Sequence, residues 1–219
     1  MLKRFGPIAM LAILTGGAPL AARDYGMLPR WIGSIDDMEP GQVKVAGSSS
    51  FHLFDKAAGL KQPDGWYRIH STEGGYDVEF PLPSIDATVS SMEGKRHFVQ
   101  AMITVESDTT RYVVFCMHSP DVEYPPMILD TYLNGMHQEM SDISSKLFTR
   151  GKLSGIEFNG IRQDKVYIHG QMFLLDRHRM CLMMIGSNDH FPDDAQRSFE
   201  SFRETTVPAS PAGKSVTKH

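Results

Sequence analysis

The sequence predicts an α+β fold built on an antiparallel sheet, because strand-like and helix-like segments are grouped along the chain rather than alternating. Between residues 66 and 117, large apolar residues follow the two-residue period of strands. The spacing changes to three and four residues over 126–148, which is typical of an amphipathic helix. The strand period returns over 152–185, and a second helical segment follows at 193–203.

The first group of strands is bounded by turn residues. Five segments are predicted as strands: 66–70, 76–80, 87–91, 97–105 and 111–117. A Gly-Gly pair at 74–75 separates the first two strands, and Pro81 and Pro83 end the second because proline cannot donate to a ladder. The last segment is a continuous apolar run, which indicates a central strand buried on both faces.

The long helix is predicted over 126–148 from apolar residues that share one face. These residues are Ile128, Leu129, Tyr132, Leu133, Met136, Met140, Ile143 and Leu147. Strands are then predicted at 152–158, 166–175 and 180–185, and Pro192 opens the closing helix at 193–203. We expect one core, with the closing helix packed on the sheet, formed by Trp66, Phe80, Phe115, Leu133, Leu182, Phe199 and Phe202.

The first 22 residues predict a secretory signal peptide. Lys3 and Arg4 provide a positive start, a short apolar run spans 8–14, and cleavage is expected after Ala22. An uncleaved membrane anchor is the alternative, although the apolar run is shorter than a membrane span requires. We therefore expect a periplasmic or secreted protein with no transmembrane segment after signal cleavage.

Weak periodicity over residues 23–64 predicts an extended N-terminal arm. The polar end at 205–219 predicts a disordered tail. We therefore predict one folded domain over residues 65–204, a length that is typical of a single domain.

Two stretches of the chain carry motifs found in exported bacterial domains. An aromatic strand after a glycine-rich turn ends in Phe80-Pro81, and an arginine-flanked apolar strand covers 179–185. The closing helix then carries Phe199 and Phe202. Over 66–204 the chain thus resembles the PsbP/DcrB-like superfamily, which shares its sandwich with the Mog family. The resemblance implies a curved antiparallel sheet of about six to seven strands packed between helices, an α/β/α sandwich, and an accessory or binding role without catalytic residues.

Composition and motifs narrow the function. The chain has 219 residues, with 22 Lys and Arg against 26 Asp and Glu, and this net charge of −4 argues against a nucleic-acid partner. It contains no Gly-x-Ser-x-Gly elbow, so the sequence favours a non-enzymatic role and indicates no cofactor. We expect an exported binding or assembly-accessory protein of the cell envelope whose partner is another envelope protein. An envelope hydrolase, with a site assembled from distant residues, is an alternative.

The two cysteines, Cys116 and Cys181, lie in separate predicted strands. In an oxidising compartment an even pair predicts a disulfide. Both residues also lie in apolar runs, where two buried thiols would behave as small apolar side chains. The spacing alone leaves both alternatives open.

A periplasmic copper or other metal-handling protein is a further alternative, because thioether and imidazole ligands suit Cu(I). The closest groupings of ligand types are Cys116 with His118, Met136 and His137 with Met140, and His178 with Met180. The competing interpretation is that these methionines fill the core and the histidines lie at the surface. The second interpretation is favoured, so no metal ligand is assigned.

Basic residues gather in the third quarter of the chain. They suggest a docking patch for an acidic partner, formed by Arg150, Lys152, Arg162, Lys165, Arg177 and Arg179. Charges of this kind also protect the exposed edges of sheets against aggregation. The latter interpretation is the simpler one.

Overall fold

The computed structural model describes residues 37–137 and 140–205, which contain thirteen strands and two helices. The predicted signal peptide at 1–22 and all but the first residue of the predicted tail lie outside the described residues. The strands are β1 (Val43–Ala46), β2 (Ser49–Ala58), β3 (Leu60–Lys61), β4 (Tyr67–His70), β5 (Tyr76–Phe80), β6 (Ser84–Glu93), β7 (Arg96–Glu106), β8 (Thr110–His118), β9 (Met140–Arg150), β10 (Leu153–Arg162), β11 (Tyr167–Asp176), β12 (Arg179–Ser187) and β13 (Arg203–Glu204). The helices are α1 (Ile128–Met136) and α2 (Ala195–Ser201).

The strands form two antiparallel sheets. The large sheet has nine strands in the order β1-β2-β6-β7-β8-β12-β11-β10-β9, and the small sheet has four in the order β13-β5-β4-β3. Most neighbours in the large sheet are consecutive in the chain and are joined by short turns, as antiparallel hairpins allow. Its two outermost strands are β1 and β9.

Both faces of the large sheet are covered, so the core is divided into two parts. On one face, Val113 and Phe115 of β8 pack in a cluster that includes Leu129 and Met136 of α1. On the other face, side chains of β8 and β12 pack against the small sheet and α2, in a cluster that includes Phe202. The continuous apolar run over β8 is therefore buried on both faces, which confirms the prediction for that strand.

The predicted fold class, an α/β/α sandwich with six to seven strands between helices, is wrong. The described residues are mostly strand, and their two helices have only nine and seven residues. A second sheet, and not a helical layer alone, covers one face of the large sheet. Neither helix within the described ranges is long and apolar enough to cross a membrane.

The largest error concerns the helix predicted over 126–148, because the chain leaves the helix at Met136 and forms β9 from Met140 onward. Ile143 and Leu147 are four residues apart, a spacing that matches both one helical turn and two repeats of the strand period. Pairing with β10 along nearly all of β9 decides between them, since each strand supplies the backbone partners that the other needs.

The segment expected to be an extended arm, 23–64, takes part in both sheets where it is described. It supplies β1 and β2 to the large sheet and β3 to the small one. Phe51 and Leu53 of β2 are fully buried. His52 and Phe54 alternate with these buried side chains and are only half-buried, so one face of β2 lies in the core while the other does not.

The expected single core is likewise split by the large sheet. Phe80, Phe199 and Phe202 lie in the cluster beneath the small sheet. Phe115 and Leu182 lie on the opposite face, in the cluster against which Leu133 of α1 packs. Trp66 is only partly buried, and its ring lies under the Arg197 guanidinium at 4.0 Å from the centroid.

Candidate functional site

The outermost strand β9 is the longest edge of the large sheet, with eleven residues. It joins β10 through the two-residue loop Gly151–Lys152, in which Gly151 has a φ of 60°. Such a loop closes on a hydrogen-bonded pair, here Arg150 and Leu153. Because hydrogen-bonded and non-hydrogen-bonded pairs alternate along an antiparallel ladder, the backbone groups of every second residue of β9 point away from β10.

This alternation identifies the backbone groups on the open side of β9. The backbone groups of Arg150, Phe148, Lys146 and Ser144 face β10, in pairs with residues 153, 155, 157 and 159. Those of Thr149, Leu147, Ser145 and Ile143 point outward. The regular alternation of inward and outward backbone groups ends after Ile143, because the β9–β10 ladder has a bulge at Asp142, whose φ is 52°. Among the described residues, β9 pairs with β10 alone.

The side chains of β9 differ between the two faces of the sheet. Leu147 and Ile143 lie on the face that α1 covers, where Ile143 packs against the core while Leu147 stays 85% exposed. Lys146, Phe148 and Arg150 lie on the other face. There the Arg150 guanidinium lies 5.7 Å from the centroid of the Phe148 ring.

A polar cluster formed by Lys146, Arg150, Glu157, His169 and Gln171 attaches the side chains of β9 to β10 and β11. Lys146 Nζ lies 2.9 Å from Glu157 Oε1, and His169 Nε2 lies 3.4 Å from the same oxygen. Gln171 Nε2 donates to Glu157 Oε2 at 2.8 Å, and Arg150 Nη1 donates to Gln171 Oε1 at 3.2 Å. The cluster thus ties both basic side chains of β9 to residues on the face of the sheet, and no described strand pairs with its outer backbone edge.

Burial acts differently on the two titratable groups at the centre of this polar cluster. Burial alone would raise the pKa of Glu157, but the interactions with Lys146, Gln171 and His169 outweigh it and lower that pKa. Burial lowers the pKa of His169, and the nearby Glu157 carboxylate offsets this only in part. Near neutral pH the cluster therefore contains an ionised Glu157 and an uncharged His169 beside the two basic side chains of β9.

We expect His169 to make the folded chain less stable as the pH falls below 6.5, its ordinary pKa. Because its pKa is lowered on folding, the unfolded chain binds more protons in this range and gains population. His118, whose pKa is also lowered by burial, contributes in the same direction. Urea unfolding at pH 7 and pH 5.5 should show a smaller loss of stability for His169→Gln than for the wild-type protein.

The matched control for this measurement is His190→Gln, which removes an exposed imidazole from the loop before α2. Its stability should fall with acidification as much as that of the wild-type protein. An equal pH dependence in His169→Gln and the wild type would contradict the assignment of a neutral, partly buried His169.

A cleft of about 450 Å³ lies between α2 and the outer face of the small sheet. Its charged lining residues are Arg68, Asp77, Glu79, Arg197, Glu200 and Arg203. Arg197 Nη2 lies 3.0 Å from Glu79 Oε2 and 2.7 Å from Asp64 Oδ2, and Arg68 lies 3.6 Å from Glu79. These ion pairs connect α2 to the small sheet, and a charged ligand would have to displace them.

The predicted docking patch is divided between the two ends of the sheet. Arg150, Lys152, Arg177 and Arg179 lie at the end with the β9–β10 and β11–β12 turns, whereas Arg162 and Lys165 lie at the opposite end. Several of these charges have acidic partners: Arg162 with Asp164, Arg177 with Glu123, and Arg179 with Asp176 and Glu204. The six residues therefore do not form one surface.

Cys116 and Cys181 are directly opposite each other in the β8–β12 pair and form a disulfide, with the sulfur atoms 2.01 Å apart. Both are buried in the cluster beneath the small sheet. The thiolate that the copper hypothesis needs at Cys116 is therefore not available. Of the methionines in the proposed groupings, Met136, Met140 and Met180 are buried in the other core cluster, and no group of three His, Cys, Asp or Glu side chains within the described ranges could hold a metal ion.

The edge strand and the polar cluster are not predicted from the sequence, because the apolar spacing over 126–148 indicates a helix there. One signal was available: residues 140–150 contain three serines, a threonine and an isoleucine, a composition that does not favour a helix. The chain matches no family model, no curated protein and no solved structure.

Proposed function

We propose that this protein is a non-enzymatic binding protein of an oxidising, extracytoplasmic compartment, and that β9 is its docking element. In this proposal an extended segment of a partner protein adds to the open edge of β9 as a further strand. The observation that carries it is the eleven-residue edge strand with outward backbone groups at Ile143, Ser145, Leu147 and Thr149.

The two edges of the large sheet differ in a way that supports this assignment. Proteins protect edge strands with short length, proline or free charges. β1 has only four residues, whereas β9 has eleven and contains no proline. The lysine of β9, Lys146, is paired with Glu157 on the face of the sheet, and Leu147 exposes an apolar side chain next to it.

Strand addition uses chemistry that β9 already presents. The outward N–H and C=O groups supply affinity that does not depend on the partner's sequence, and alternate side chains supply the specificity. Leu147 and Ile143 on one face can contact apolar side chains of an added strand, and Lys146 on the other face can contact a polar one. The polar cluster lowers the entropic cost of ordering β9, because its side chains are already fixed.

The compartment is supported by the disulfide between Cys116 and Cys181, because such bonds persist in oxidising surroundings and are rare in the cytosol. It agrees with the predicted signal peptide, which remains a prediction from the sequence. An exported binding protein accounts for both features.

We expect the variant Ser145→Pro to lose strand binding while keeping its fold. Proline at 145 removes an outward N–H, and it leaves the β9–β10 ladder intact because the neighbouring Ser144 and Lys146 face β10. Twelve-residue peptides with alternating apolar and polar residues, selected from a library on the wild-type protein, provide the probe. Their affinity for Ser145→Pro should fall at least tenfold, as measured by fluorescence anisotropy.

The matched control is Ser145→Thr, which keeps the N–H and should bind the selected peptides as the wild type does. Methylating alternate backbone nitrogens of a selected peptide should also abolish its binding. If the peptides bind Ser145→Pro and the wild type equally well, β9 is not a docking strand.

A further inference from the structure

We propose that the strand received by β9 is β9 of a second copy of this chain, related to the first by a two-fold axis at Ser145. This inference rests on the proposed docking function and names its partner. The resulting dimer would contain one continuous antiparallel sheet of eighteen strands, nine from each copy.

The backbone of β9 is compatible with this arrangement. In an antiparallel self-pairing centred on Ser145, residue 143 lies opposite 147, and 145 lies opposite itself. All of these residues have outward backbone groups, so each opposed pair can exchange two hydrogen bonds. A pairing centred between two residues would place outward groups opposite inward ones and would form no ladder.

The side chains select the register at Ser145. Ile143 and Leu147 are equally distant from it on the same face, so each Leu147 meets the Ile143 of the other copy. The pairing thereby covers four apolar side chains, including the two 85% exposed leucines. Centring the pairing on Leu147 would bring the two leucines together but would leave both Ile143 side chains outside the contact.

The charges on the opposite face do not oppose the pairing. Lys146 lies opposite Ser144 of the other copy, not opposite a second lysine. Each Lys146 keeps its own Glu157 at 2.9 Å, so the two ammonium groups enter the interface already neutralised. Like charges directly opposite each other would destabilise the sheet, and this pairing places none there.

The central contact can be tested by cross-linking at Ser145. Opposed residues in a hydrogen-bonded antiparallel pair have Cα atoms about 5.5 Å apart, a separation that a disulfide can span. The two native cysteines are bonded to each other, so Ser145→Cys adds the one free thiol of the variant. In the same pairing the Cα atoms of the two Leu147 residues would lie four residues apart along the strand, roughly 13 Å. This separation is too long for a disulfide.

We expect Ser145→Cys to oxidise to a covalent dimer and Leu147→Cys to remain largely uncross-linked at the same concentration. Sedimentation of the wild-type chain should show a dimer that dissociates on dilution. Ser145→Pro and Leu147→Lys should sediment as monomers with unchanged circular dichroism, and Ser145→Thr should sediment as the wild type does. A wild-type chain that stays monomeric at all concentrations, or that cross-links through Leu147→Cys and not Ser145→Cys, overturns the inference.

A failure of the proposed dimer can be told apart from a failure of the proposed docking function. A monomeric wild type that still binds selected peptides through β9, and loses them in Ser145→Pro, would keep the docking strand and exclude the second copy. A dimer that persists in both Ser145→Pro and Leu147→Lys would locate the interface elsewhere and would also overturn the inference.

Discussion

Replacing Phe202 by alanine is expected to lower the free energy of unfolding by about 3–5 kcal/mol, because it removes a fully buried ring and leaves a cavity. Phe202 follows α2 and joins three parts of the structure. Its ring stacks on Tyr76 of the small sheet at 5.2 Å between centroids, and it meets the edge of Phe173 of the large sheet at 5.0 Å. Few domains of this size have more than about 5–15 kcal/mol of stability to lose.

The matched control is Phe191→Ala in the loop before α2. Phe191 is 41% exposed and contacts Tyr167 alone among the aromatic pairs of the described residues, so its loss should cost much less. Chemical denaturation of the two variants and the wild type measures the difference. Equal, small losses in both variants would mean that the segment after α2 does not close the core beneath the small sheet.

Removing the disulfide with the double variant Cys116→Ala/Cys181→Ala is expected to cost about 4 kcal/mol by the chain-entropy model. The bridge joins residues 65 positions apart and closes a loop that contains α1, β9, β10 and β11. Without it, the unfolded chain gains the freedom to separate β8 from β12. Guanidinium unfolding of the oxidised wild type and the double variant measures the loss.

A reducing agent gives an independent check of the bridge. It should lower the denaturation midpoint of the wild type and leave that of the double variant unchanged. A wild-type midpoint that does not respond, even when reduction is carried out in denaturant before refolding, would show that the bond does not stabilise the fold.

Much of the strand content was predictable from local patterns. The predicted strands at 76–80, 97–105 and 111–117 are confirmed as β5, β7 and β8, and those at 166–175 and 180–185 as β11 and β12. In these segments an alternating or continuous apolar pattern and a nearby turn residue act within a few positions of the chain. The closing helix is also confirmed, although it is shorter than predicted and Phe202 lies just beyond its end.

The candidate site was not predictable in the same way, because its features depend on partners that are distant in sequence. Lys146 belongs to the polar cluster only because Glu157 and His169 lie on neighbouring strands in matching register. The spacing of Ile143 and Leu147 agrees with either a helix or a strand. The exposure of Leu147 at the edge of the sheet follows from the position of β9 among the described strands.

By itself, the sequence determined where most strands lie, that two cysteines lie in buried strands, and that the chain carries a net charge of −4. The tertiary structure decided that residues 43–61 join both sheets, that residues 140–150 form a strand, and that the core has two parts. The physical reason is the range of the interactions involved. Turns and side-chain alternation are local, whereas a strand is stabilised by the backbone groups of neighbours that no local pattern identifies.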